Sequence, residues 1–142
     1  MPEDKIVIKT RHGELSLEQL AEAQHGMSHL MKEVGERYHI LYYAAKAPSW
    51  KLAEYQLKEI IALFKTGSTL RPKYAEDLNE FIKTSFQPMS EALRERDWTR
   101  FERLFRKAIQ ESDKFHEKYG YGYIRYLLPK NPPEMYDLTT VK

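Results

Sequence analysis

LYYAAKAPSWKLAEYQLKEI, residues 41–60, holds the end of one helix, a turn and the start of another. Pro48 disfavours helical geometry in the residue before it, so the first element should stop at Ala47. Ser49 is a suitable N-cap for the second. A connection this short sends the chain back along the helix it has just left, so the two are expected to be antiparallel neighbours.

Upstream, Leu30, Val34, Tyr38, Leu41, Tyr42 and Ala45 recur at helical spacing and mark a face turned to a core. Ser16-Leu-Glu-Gln19 fits a capping box, so helix should begin there. Gly26 and Gly35 each weaken a helix by about 1 kcal/mol relative to alanine, and Gly26 is the natural place for a break. Downstream, Ala53, Leu57, Ile60, Ile61 and Phe64 form the next stripe, with Gly67 read as its C-terminal stop. Pro72 suits the first turn of a third helix. That helix carries Tyr74, Leu78, Phe81, Ile82, Phe86, Met89 and Leu93. Pro88 lies inside the stripe, so either the helix kinks there or it is two helices; the stripe continues in phase, which favours a kink. Asp97 caps a fourth helix with Phe101, Leu104, Phe105, Ala108, Ser112, Phe115 and Tyr119 on one face, closed by Gly120.

The expected fold class is therefore all-α, an antiparallel four-helix bundle in a single domain. Residues 1–15 read as an extended arm, residues 16–119 as the bundle, and residues 120–142 as an irregular Tyr/Pro-rich tail packed on it. The arm contains KIVIK and a His12-Gly13 turn signal, enough for one short strand. A single strand makes no sheet, so it should lie on the bundle or pair with another chain. Pro129, Pro132 and Pro133 keep helix out of the tail.

The 142 residues include 23 basic and 21 acidic side chains, a net charge of +2, which supplies no field for a polyanion. Arg96, Arg100, Arg103 and Lys107 are interleaved with Glu95, Glu102 and Glu111, the pattern of a salt-bridged face rather than a nucleic-acid surface. The absence of cysteine excludes disulfides, thiolate metal sites and cysteine nucleophiles. No apolar run approaches the roughly 18–20 residues of a membrane span. The N-terminus lacks a secretory h-region, so the chain as written is expected in the cytoplasm, or in the periplasm if a leader has been removed. There is no Gly-rich phosphate loop, H-E-x-x-H or nucleophile elbow, and an enzyme is not expected.

His116 lies in phase with Phe105, Ile109 and Ser112 on the last helix. It can be read as a polar group in a ligand pocket or as a half-buried histidine bonded to a carbonyl or a tyrosine. His25 and His29, one turn apart, have the spacing of a metal pair but no third ligand in sequence. The tyrosines at 119, 121, 123, 126 and 136 suit a pocket wall, an interface or simple packing of the tail.

Two blocks carry a resemblance to the bacterial four-helix-bundle c-type cytochromes, the architecture of cytochrome c-prime. One is Leu41 to Ile60, with Trp50, Leu52, Ala53, Tyr55, Leu57 and Glu59. The other is Asp97 to Pro133, where His116 stands at the histidine of the haem-attaching C-x-x-C-H motif. Ser112 and Phe115 occupy the two cysteine positions, so no thioether to haem can form. The resemblance implies a relative that kept the bundle and lost covalent haem, with volume between the first and fourth helices partly filled by Phe115 and the tail. A reduced pocket is expected there, bordered by Met31, Tyr38, His116, Tyr119 and Tyr123. The expected function is non-enzymatic binding of a small apolar or aromatic molecule or of a protein partner, with no resident cofactor. The alternative is a redox or gas-binding protein holding non-covalent haem through His116. No nucleic-acid or membrane partner is expected, and a homodimer stays open.

Overall fold

In a computed structural model, residues 5–139 are described; the ends of the arm and tail, 1–4 and 140–142, lie outside them. The chain is mostly helical with one small antiparallel sheet. Its elements are β1 (Val7–Thr10), β2 (Gly13–Ser16), α1 (Leu17–Glu22), α2 (Met27–Lys46), α3 (Trp50–Leu70), α4 (Ala75–Phe81), α5 (Gln87–Arg94) and α6 (Trp98–Lys118).

The arm departs from expectation. It pairs with itself, placing Val7 opposite Ser16, Ile8 opposite Leu15 and Lys9 opposite Glu14. Arg11 and His12 form the turn, and Gly13 adopts φ 127°, a conformation that side-chain-bearing residues rarely enter. The Thr10 hydroxyl donates to the Gly13 carbonyl and accepts from the His12 N–H, stiffening the corner. Gly13–Ser16 is a strand that sequence does not announce, because GELS is a weak β sequence and its partner KIVIK supplies the pairing.

The capping box is formed as read. The Ser16 hydroxyl accepts from the Gln19 N–H at 3.1 Å, and the Gln19 side chain accepts from the Ser16 N–H at 2.9 Å. The break falls at Gly26, the N-cap position of α2. The turn at Pro48 is also as expected, but Ser49 acts differently. No hydroxyl cap forms; instead its N–H reaches back to the Ala44 carbonyl at 2.7 Å.

Gly67 does not end its helix. α3 runs on to Leu70, and Gly67 is buried where a Cβ would meet Met27, Leu78 and Leu30 at 3.2–3.6 Å. The glycine is there to let α2 and α4 approach α3. Pro88 is accommodated through a π-helical segment, Ile82–Phe86, that joins α4 to α5. The widened turn takes up a ring that has no N–H to give and would crowd the preceding turn.

The α5–α6 corner is a Schellman motif. The Arg96 N–H bonds the Leu93 carbonyl and the Asp97 N–H bonds that of Ala92, with Arg96 at φ 55°. Asp97 then begins α6, its carboxylate accepting from the Arg100 N–H at 3.1 Å. Asp97→Ala should lower stability by about 1 kcal/mol, read as a shift in urea midpoint. An unchanged midpoint would show that the corner is held by its backbone bonds alone.

The core joins α2 through α6. Leu41, Ala44, Ala53, Ile60, Met89, Ala92, Phe101 and Phe105 are fully buried. Phe64 packs on Phe81 and Phe86, and Tyr42 on Phe105 and Trp98. No helix among the described residues is long and apolar enough to cross a membrane.

Candidate functional site

α6 closes with a second Schellman motif, the Gly120 N–H on the Glu117 carbonyl and the Tyr121 N–H on that of His116. Gly120 takes φ 84°, which turns the chain back. The tail then crosses from α6 to α2 as a strap fastened by side chains to backbone carbonyls. His116 Nδ1 bonds the Ile124 carbonyl at 2.9 Å. The Tyr126 hydroxyl donates to Gly35 at 3.1 Å, Tyr43 to Pro129 at 2.7 Å, and His39 Nε2 to Asn131 at 2.8 Å.

Beneath the strap, Tyr38 stacks on Phe105 with centroids 3.8 Å apart and donates to the Phe105 carbonyl at 2.7 Å. The Tyr126 ring meets Tyr38 edge-on and rests on Gly35, where a Cβ would lie 3.4 Å from it. Burial pushes the Tyr126 phenol up to about 12 and the Tyr38 phenol well above its ordinary value.

The five residues expected to border a pocket do not share one environment. Met31 is partly buried against the core, and Tyr38 is buried. His116 is engaged with the tail. Tyr119 turns toward α4, where its hydroxyl and the Lys118 ammonium both donate to Asp77 and its ring meets Tyr74 edge-on. Those two bonds hold the Asp77 carboxyl below its usual range. Tyr123 is 79% exposed, its ring near that of Tyr121. Tyr126 packs with the tail, one of the roles open to the tail tyrosines, but sequence reasoning missed its anchor at Gly35 and the parts of His39 and Tyr43 in holding the strap. The signal was there: Gly35, His39 and Tyr43 recur every four residues, a second stripe beside the core face.

A carbonyl only accepts, so His116 Nδ1 carries the proton and Nε2 of the neutral ring keeps a lone pair. That is the tautomer of a metal ligand. His25 and His29 stack face to face, centroids 3.9 Å and planes 11° apart. Imidazole lone pairs lie in the ring plane, so two near-parallel rings do not converge on one ion. Among the described residues no group of three or more His, Asp or Glu could hold a metal. Of the four basic residues read as one face, Arg100 pairs with Glu91 and Glu95; the neighbouring Arg106 pairs with Glu102.

The other conspicuous surface is N-terminal. No residue from Lys5 to His25 is buried, although this segment carries Ile6, Val7, Ile8, Leu15, Leu17 and Leu20, each 38–62% exposed. Side chains alternate along a strand, so Ile6 and Ile8 share a sheet face with Leu15 and Leu17. Lys9 and Glu14 lie on the opposite face, 3.7 Å apart. Comparison with protein families, curated proteins and solved structures found no match to this chain.

Proposed function

We propose that this chain is a non-enzymatic, protein-binding antiparallel four-helix bundle descended from a cytochrome-like fold, with β1, β2 and α1 as its binding surface. One observation carries the reading: a segment rich in aliphatic residues folds into a hairpin and helix yet buries none of them. A two-stranded hairpin is marginal in water and gains stability when its apolar face is covered. Contiguous exposed apolar patches on soluble proteins mark interaction sites. Of the polar groups expected to orient a small molecule, Tyr38, His116 and Tyr119 are instead spent on carbonyls and on Asp77 and Tyr123 faces outward, which favours a protein over a small-molecule ligand.

The alternative, non-covalent haem held by His116, is favoured by the free Nε2 lone pair. Against it stand Phe115 and Tyr126, both packed against the core beside the histidine's helix and tail. Native mass spectrometry of the chain isolated from its own cells separates these readings. A protein-sized adduct is expected, lost when Ile8 and Leu15 are both replaced by lysine. A retained mass of small-molecule size would favour a ligand. A stoichiometric Soret band on haem titration, abolished by His116→Ala, would establish the haem reading instead.

A further inference from the structure

Among the described residues no strand pairs with the outer edge of β1, and that edge has a definite chemical pattern. The Leu17 N–H bonds the Ile6 carbonyl, so Ile6, Ile8 and Thr10 use their backbone groups toward β2. By the same alternation, Lys5, Val7 and Lys9 turn their N–H and C=O groups to the open side. β2 offers no comparable edge, because Ser16 is committed to capping α1. The edge strand thus reads Lys-Ile-Val-Ile-Lys, residues 5–9, with all five exposed.

An exposed edge strand is a template for another strand. A second copy is a poor occupant. Antiparallel self-pairing through the outward groups centres on Val7 and sets Lys5 of one chain against Lys9 of the other. Like charges directly opposite are destabilising. The edge therefore discriminates against itself and selects the opposite charge.

We infer that β1 accepts an extended segment of a partner protein with the pattern acidic–apolar–apolar–apolar–acidic, added as a third strand. The inference rests on the protein-binding reading and names its partner's chemistry. Residues opposite Lys5 and Lys9 supply carboxylates, and the residue opposite Val7 is apolar. The two between them point to the other face, where they extend the cover over Ile6, Ile8, Leu15 and Leu17. Backbone bonds provide affinity, as in other cases of a peptide adding to a sheet edge, and here the two lysines provide selection. The Lys9–Glu14 pair does not compete strongly, since the lysine side chain is 83% exposed and such pairs are weak.

The test uses the full chain and fluorescein-labelled peptides followed by anisotropy. TEVIVET should bind, and the charge-reversed TKVIVKT about tenfold or more weakly, from two exposed charge contacts reversed. Replacing both Lys5 and Lys9 with glutamate should exchange the preference. A TEVIVET peptide N-methylated at alternate residues, on the side that faces β1, should lose binding with the protein untouched. Equal binding of the two charge forms, or undiminished binding of the N-methylated peptide, would overturn the inference. So would a concentration-dependent dimer lost in Val7→Pro, which would make a second copy the occupant. If neither peptide binds while the native adduct persists, the edge inference fails and the protein-binding reading stands.

Discussion

Phe105→Ala is expected to lower the stability of the chain by about 3–5 kcal/mol, the range for deleting a buried phenylalanine. Phe105 is fully buried on α6. Its ring stacks on Tyr38, and it touches the rings of Tyr42 and Phe101 at centroid distances of 5.1 and 5.7 Å. Alanine leaves a void between α2 and α6 that packed neighbours close only in part. The consequence extends beyond the core. Tyr38 keeps its bond to the residue 105 carbonyl but loses the ring it stacks on, and Tyr38 in turn supports Tyr126, so the strap loses part of the surface it lies on. Urea unfolding followed by circular dichroism measures the loss, and hydrogen exchange at Ile124, whose N–H bonds the Tyr121 carbonyl, should quicken. Phe105→Leu should cost less, because part of the volume is kept. A change below about 1 kcal/mol for the alanine variant would mean that the α2–α6 contact contributes little to folding.

Raising the pH above 10 should also weaken the fold steeply. The Tyr126 phenol is held up at about 12 and that of Tyr38 well above its ordinary value of 10, both through burial. Below pH 10 both are protonated in folded and unfolded chains, and their contribution is fully present. Between pH 10 and about 12 the unfolded chain releases protons that the folded chain retains. The unfolded state then binds fewer protons, so stability falls as pH rises and is lost through the folded value. The urea midpoint at pH 11 should lie well below that at pH 8. Absorbance of tyrosinate should show these two phenols ionising only as the chain unfolds. Tyr126→Phe removes one of the two titrating groups and should flatten the slope, while losing the Gly35 bond at about 1 kcal/mol at neutral pH. A midpoint independent of pH from 8 to 11 would contradict the burial of both rings.

Helix ends were legible wherever backbone chemistry is local. Ser16 with Gln19, Pro48, Asp97 and Gly120 each act within a few residues of themselves, so the sequence alone determined those boundaries and the stripes between them. Elsewhere the decisive neighbour is distant in the chain. Gly67 is a stop signal by composition, yet Met27, Leu30 and Leu78 gather around it, and removing a side chain there gains a close approach worth more than a helix end. Pro88 signals a distortion, but the continued burial of Ile82, Phe86 and Met89 selects a widened turn over a break. The tail's tyrosines announce packing without an address. Only the tertiary structure sets Tyr126 on Gly35 and the Pro129 and Asn131 carbonyls on Tyr43 and His39, across more than 85 residues of chain. The hairpin belongs to the same class: KIVIK is a strand by propensity, but what it pairs with, and which of its edges stays open, is decided by register.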